Sequence, residues 1–234
     1  MLDRCRDIEK RYPLCPSDWH KCHQYSVAPK VMREMKHAWT FGIGKEAKHE
    51  GWLRHLNPNV IVQSFDPTEL SRSTIDRENA TVMRRDKHMG LQGKPLQWFD
   101  WAYHPSGEPV EFYTHDPERK CYSTINIESE ELFDQCTVQT RNIHSLLQTQ
   151  LRPDYIKFDM EGIWYEFVCD VLDNKLWVNQ LVGEFEMYYG DADQQFERLD
   201  TVIEAMQHEG YTVFTNRQLQ TEMVELAFVK QELV

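Results

Sequence analysis

"DYIKFDMEG", residues 154–162, is the stretch whose reading decides the fold. Side chains alternate across a strand, so Ile156, Phe158 and Met160 share one face while Tyr155, Lys157, Asp159 and Glu161 share the other. Helical patterns flank it: "CTVQTRNIHSLLQTQL" (136–151) reads as a strand running into a helix before it, and "GIWYEFVCDVL" (162–172) has helical spacing after it. A strand so flanked belongs inside a sheet covered on both faces, where unbroken Val, Ile and Leu are usual. Lys, Asp and Glu on one row of such a strand, stopping at Gly162, need a cause. A ligand crevice at the carboxyl ends of the strands supplies one.

Working outward, the same alternation of strand and helix continues in both directions. "AWTFGIG" (38–44) is a short apolar run ending in glycines, and "KEAKHEGWLRHL" (45–56) is a helix interrupted by Gly51. "NVIVQSFDP" (59–67) is a strand stopped by Pro67. A partly helical basic segment (69–94) leads to a third strand, "LQWFDWAY" (96–103). The turn residues of "PSGEPVEFYTH" (105–115) predict a hairpin. "NQLVGEFEMYY" (179–189) is a strand with Glu184 and Glu186 on one face. The period of Phe196, Leu199, Val202, Ile203 and Met206 predicts an amphipathic helix ended by Gly210. Two adjacent strands, 211–216 and 223–230, close the chain. The expected fold is therefore an open α/β sheet, mostly parallel, with an antiparallel pair at one edge. Residues 1–35 read as an N-terminal helical arm, with helices near 3–11 and 29–36, and residues 36–234 as the α/β domain.

The 234 residues, 41% hydrophobic and 12% aromatic, are enough for one domain with an ordinary core. No apolar run approaches the ~20 residues of a membrane span, and the opening "MLDRCRDIEKRYPLC" is charged where a secretory leader is apolar, so a cytoplasmic location is expected. A net charge of −12 argues against a surface for duplex nucleic acid. The segment 71–94 is locally basic, with Arg72, Arg77, Arg84, Arg85, Lys87 and Lys94. It reads as a solvated helix or as a docking patch for an acidic substrate. Cys5, Cys15, Cys22, Cys121, Cys136 and Cys169 form no CxxC pair and are expected as free thiols. "CPSDWHKCH" (15–23) uses the zinc-ligand alphabet at a spacing of no common zinc module, so no metal is assigned. No histidine, among them His37, His49, His88, His104, His115 and His144, stands out as a catalytic base.

Strand ends carry the chemistry. Gly42-Ile43-Gly44 ends the first strand, where glycines let the backbone turn and approach a ligand. Asp66 ends the second, twenty-two residues beyond Gly44, the placement of an acid that accepts from ribose hydroxyls in nucleotide-binding βαβ units. Asp159 and Glu161 follow on a later strand, and Glu184 and Glu186 on the next. The loop lacks a third glycine and any GKS/T, so it is no P-loop and fits the GxGxxG fingerprint poorly.

"YIKFDMEG" (155–162) followed by a helix resembles the "lKiDvEG" signature of the FkbM-type methyltransferases, which use S-adenosylmethionine. "WTFGIG" with "SFDPT" is similar to the glycine loop and following acid of the methyltransferase-like branch. "TVQTRNIHSLL" resembles the approach to the signature and "ELAFVK" the closing strand, so the resemblance covers residues 38–230. It implies a class I methyltransferase-like, Rossmann-like sheet of seven strands, with S-adenosylmethionine as cofactor and a small molecule or glycan as substrate. Gly42, Ile43 and Gly44 would line the methionine part, Asp66 would hold the ribose, and Ala102 and Tyr103 would lie near the adenine. Asp159 and Glu161 would stand where the sulfonium meets the acceptor. The acid usual two residues before the glycine loop is Thr40 here, and the second glutamate of "EGaE" is Trp164.

Methyl transfer to an alcohol needs alignment and a base. Asp159 or Glu161 is the candidate base, with Lys157 beside it and Glu184 as a substrate or helper carboxylate. A Lys157–Asp159 pair that only balances buried charge is the competing reading of those two residues. For the whole chain, an inactive binding module of the same fold and a nicotinamide-dependent oxidoreductase are the competing functions.

Overall fold

Among the described residues the predicted strands of the α/β domain form, the third in two pieces, and they assemble in an order that sequence periodicity leaves open. The computed structural model describes residues 1–114, 123, 134–217 and 221–234. The first part of the chain holds α1 (Leu2–Arg11), β1 (His20–Cys22), β2 (Tyr25–Val27), α2 (Pro29–Glu34), β3 (His37–Phe41), α3 (Lys48–Leu56), β4 (Ile61–Phe65) and α4 (Glu69–Met89). Then come β5 (Gln97–Phe99), β6 (Ala102–Tyr103), β7 (Val110–Thr114), β8 (Asp134–Val138), β9 (Thr140–Arg141) and α5 (Ile143–Thr149). The last part holds β10 (Tyr155–Phe158), α6 (Trp164–Asp173), β11 (Gln180–Glu186), α7 (Ala192–His208), β12 (Tyr211–Arg217) and β13 (Met223–Lys230).

The main sheet has the order β12-β13-β11-β10-β3-β4-β5. β11, β10, β3, β4 and β5 pair in parallel, while β13 pairs antiparallel with both β11 and β12. This is the expected seven-stranded, mostly parallel, Rossmann-like sheet, with its antiparallel pair at one edge. From β3 the chain builds outward through β4 and β5, then returns to place β10 on the other side of β3. The carboxyl ends of β3 and β10 therefore flank a switch in strand order, where open α/β sheets leave a crevice.

Register explains why β10 alternates. In one row, Phe158, Phe41, Phe65 and Phe99 lie side by side across four parallel strands. The Phe41–Phe65 and Phe65–Phe99 centroids are 4.8 Å and 5.2 Å apart. This face is buried by α5, α6 and α7, which contribute Ile143, Leu146, Phe167, Val168, Leu199 and Ile203 to the same core. One residue earlier, on the opposite face, the row reads Lys157, Thr40, Ser64. That face is covered by the β1–β2 hairpin, α2, α3 and α4 through Tyr25, Val31, Met32, Leu53 and Ile75. Local caps hold the helices in place. The Thr68, Asn142 and Asp191 side chains accept from the third residue on, each worth about 1 kcal/mol, and α4 ends at Gly90 in the left-handed conformation.

Three local readings change. The third strand breaks after Phe99: β5 pairs with β4, but Ala102 and Tyr103 form β6, which pairs in parallel with β9 away from the main sheet. The extended run after the 105–107 turn is β7; among the described residues it pairs antiparallel with β8, and Tyr113 also bridges Ser123 antiparallel. His115 at its end and Cys121 lie outside the described residues. The arm contains the antiparallel hairpin β1–β2, which alternation over three residues is too short to announce. The arm is also tied to the sheet edge, since Thr215 N donates to Pro13 O (2.8 Å) and Cys15 N to Thr215 O (2.9 Å). Cys5, Cys15, Cys22, Cys136 and Cys169 are free. Among the described residues, no helix is long and apolar enough to cross a membrane.

Gly183 sits beside Phe158 in register, and a Cβ there would lie 2.5 Å from the Phe158 ring. Gly183→Ala should destabilise the fold by about 1–3 kcal/mol through overpacking, measured as a lowered urea midpoint with an unchanged slope.

Candidate functional site

The ladder continues past the strand ends and pulls three loops together. Asp159 N donates to Phe41 O, Gly42 N to Phe65 O and Asp66 N to Phe99 O, each at 3.2 Å. At Gly42 the backbone turns with φ 71°, and a Cβ would come within 1.7 Å of the Asp159 carbonyl oxygen. Only glycine permits that approach. Beyond Asp159 the chain turns through Glu161 (φ 40°) and Gly162 (φ 92°), after which α6 begins. A left-handed glutamate costs about 1–2 kcal/mol, so this turn is held by its surroundings. Ser123 Oγ donates to Glu161 O (2.7 Å), and Tyr189 OH donates to Glu161 Oε2 (2.7 Å).

In front of these loops lies a cavity of about 480 Å³, inside the range of about 300–1,000 Å³ typical for small-molecule sites. Nine of the ten sequence-predicted site residues line it. Gly42, Ile43, Gly44 and Asp66 form one wall, Ala102 and Tyr103 another, and Lys157, Asp159 and Glu161 the floor. Glu184 is not among the lining residues. It is buried behind Asp159, receiving a hydrogen bond from Tyr25 OH (3.3 Å) and lying 3.9 Å from the Arg217 guanidinium.

Asp66 and Lys157 bind the protein itself. Asp66 Oδ2 accepts from Ile43 N (2.8 Å) and Gly44 N (3.2 Å), while Oδ1 accepts from Thr68 N (2.9 Å) and Thr68 Oγ1 (2.7 Å). The acid thus shapes the glycine loop. The buried Lys157 ammonium donates to the carbonyls of Phe41 and Gly42 and lies 3.7 Å from Asp159 Oδ2. Its charge serves both loop and acid, so the Lys157–Asp159 pair exists, yet Asp159 keeps 29% side-chain exposure toward the cavity.

Several site residues were invisible in the sequence. His23, Gln24 and Tyr25 of the arm line the cavity, with His23 Nε2 3.0 Å from Glu46, so the β1–β2 hairpin forms a cover over the glycine loop. His49 and Glu50 of α3 line it too, and both are buried. His49 Nδ1 donates to Cys22 O (2.8 Å), which leaves Nε2 to accept from Tyr155 OH (3.1 Å). Burial pushes its pKa down to about 3, so this imidazole is neutral. Glu50 has its pKa raised by burial, opposed by the charge of Lys157 and by Thr40. An acid absent at Thr40 is thereby supplied to the same spot from α3. Thr40 itself donates to Ser64 Oγ (3.0 Å). Trp164 is core: its ring is 1% exposed, and Nε1 donates to Glu186 O (3.1 Å).

Behind the floor, Asp159, Glu184 and Glu186 bring one carboxylate oxygen each within 4.8 Å of one another. Burial, then the charges of Asp159 and Glu225, push Glu184 up to about 8. Burial, then Glu161 and Asp159, raise Glu186 well above the carboxylate range.

No family model matches the chain, and no curated protein matches it. Among solved structures it is similar to precorrin-6y C5,15-methyltransferase from Geobacter metallireducens, at 13% identity over 86% of this chain and 85% of that one, with a TM-score of 0.46. It is similar to cofactor-bound Rv0187 from MTB at 8% identity, over 98% and 89% of the two chains, with a TM-score of 0.48. It is also similar to human methyltransferase 10 domain containing protein at 10% identity, over 84% and 73%, with a TM-score of 0.45.

The raised carboxyl groups set a pH dependence. Between their ordinary value of 4.5 and about 8, the folded chain keeps a proton on Glu184 that the unfolded chain has released. The stability from that proton is complete below about 4.5 and is lost as pH rises through about 8. Urea midpoints of the wild type should fall over this range more steeply than those of Glu184→Gln, and equal slopes would contradict the assignment.

Proposed function

We propose that the chain is an S-adenosylmethionine-dependent methyltransferase of the FkbM type, acting on a hydroxyl of a small molecule or glycan. One observation carries the reading: the glycine loop, Asp66, Tyr103 and the Lys157–Glu161 turn enclose a single cavity at the switch in strand order. The residues present fit the cofactor. Gly42 keeps the loop flat against Asp159, which leaves room in front of it. Asp66, Asp159, Glu161, Glu46 and Glu50 outnumber Lys45 and Lys157 on the lining, which suits a cationic guest.

When bound, S-adenosylmethionine supplies an electrophilic methyl on a sulfonium. Gly42, Ile43 and Gly44 hold its methionine part, and Ala102 with Tyr103 bounds the adenine end. Tyr103 is fixed for that role, its hydroxyl donating to Glu166 O (3.1 Å) and its ring edge-on to Phe167. Asp66 serves the ribose side, where a ribose hydroxyl would take over the 3.2 Å Gly44 contact, the longest of its four. Lys157 positions Asp159 and clamps the loop carbonyls, acting through them. Asp159 or Glu161 accepts the acceptor hydroxyl's proton on a carboxylate oxygen. With donor and acceptor aligned in a closed site, most of the acceleration comes from orientation. The arm hairpin covers the cavity and keeps water out.

The second reading, an inactive module of the same fold, is favoured by Trp164, which fills core where the resembled family places a second glutamate. Calorimetric titration with S-adenosylmethionine, followed by a methyl-transfer assay against hydroxyl-bearing acceptors, separates the readings. Saturable binding with transfer is the expected result, and binding without transfer supports the module. No binding at millimolar cofactor removes the methyltransferase reading and favours the module, and nicotinamide dinucleotide binding in the same titration would revive the oxidoreductase reading. Asp66→Ala should weaken cofactor binding by about 1–3 kcal/mol, and an unchanged affinity would remove its assignment.

A further inference from the structure

We propose that Asp159, Glu184 and Glu186 form a binding site for one divalent, oxygen-preferring cation of the Mn²⁺, Mg²⁺ or Ca²⁺ class. The proposal concerns this chain's own carboxylates; it shares Asp159 with the methyltransferase reading, and its test reads ion binding with no cofactor present. One oxygen from each residue lies within 4.8 Å of the others, so a point within about 2.8 Å of all three exists by geometry alone. Metal–oxygen bonds of about 2.0–2.6 Å are then reached by small side-chain rotations. An all-oxygen donor set selects hard cations over zinc or copper.

A second observation points to an absent ligand. Glu186 is 1% exposed, and its Oε1 has no hydrogen-bond partner among the described residues, while Oε2 accepts a long 3.4 Å bond from the Gly162 N–H. The charged groups that face it are Glu161, Asp159 and Glu184, all acidic. A buried, unpaired carboxylate is costly unless it is neutralised or coordinated. The cations at hand serve other groups. Lys157 is spent on the Phe41 and Gly42 carbonyls and on Asp159, and Arg217 binds Glu225 at 2.5 Å while staying 3.9 Å from Glu184. A dication between the three carboxylates would offset the local charge and give the Glu186 carboxylate a partner. Asp159 lines the cavity, which gives the ion an entry path.

The test uses the full chain stripped with EDTA and titrated with MnCl₂, free Mn²⁺ being read by electron paramagnetic resonance. One saturable Mn²⁺ per chain is expected, displaced by Mg²⁺ or Ca²⁺, with the melting temperature rising as the ion binds. Glu186→Gln and Asp159→Asn should each weaken Mn²⁺ binding about tenfold or more by removing a charged ligand. Glu186→Gln should also lose the Mn²⁺-dependent rise in melting temperature. Asp159→Asn, on the exposed side of the cluster, keeps the test alive if Glu186→Gln fails to fold, with circular dichroism confirming the fold. Absence of saturable binding of all three ions at millimolar concentration would overturn the proposal. So would folded variants that bind Mn²⁺ as tightly as the wild type.

Discussion

Two strand ends meet backbone to backbone, and the site depends on that meeting. Gly42 presses against the Asp159 carbonyl so closely that no side chain fits between them. The Lys157 ammonium sits beneath the contact and binds the Phe41 and Gly42 carbonyls while facing Asp159. Without it, the glycine loop and the acid-bearing turn would be two unrelated loops at the top of a sheet. With it, they form the continuous floor and wall of one cavity.

The same contact organises the energetics of the sheet. A row of phenylalanines on one face ends where a polar row on the other begins, one residue apart along each strand. The aromatic face gains its stability from burial beneath α5, α6 and α7. The polar face is closed by the arm and α3, which bring Tyr25, His49 and Glu50 down onto Lys157 and its neighbours. Buried ionisable groups on that face have to share partners, and most do. The carboxylates of β11 keep few such partners among the described residues, and burial together with like-charged neighbours raises their proton affinity.

Particular residues show how far the sequence could be read. Gly42, Asp66, Asp159 and Glu161 were legible because each ends a strand, and strand ends in an α/β sheet converge by topology. Glu184 was read as a site residue from its place on β11, yet it stands behind Asp159, because one strand's width separates β11 from the cavity floor. Ala102 and Tyr103 reach the cavity, but from β6 beside β9, since the chain leaves the main sheet after Phe99. Tyr25, His49 and Glu50 carried no local signal. A tyrosine in a three-residue strand and two polar residues on a helix look like surface until a sheet face is known to lie beneath them.

Alternation of polar and apolar residues, glycines at strand ends and capping residues before helices are local, short-range properties of the chain, and they determined the elements, the sheet type and the rim on which the chemistry gathers. Which strands lie side by side, what the arm covers and which carboxylates share a buried space are long-range matters. They follow from packing two faces of one sheet at once, and no window of sequence contains both partners of those contacts. Only the tertiary structure brought Asp159 up against Glu184 and Glu186, with one Glu186 oxygen left unpartnered among the described residues.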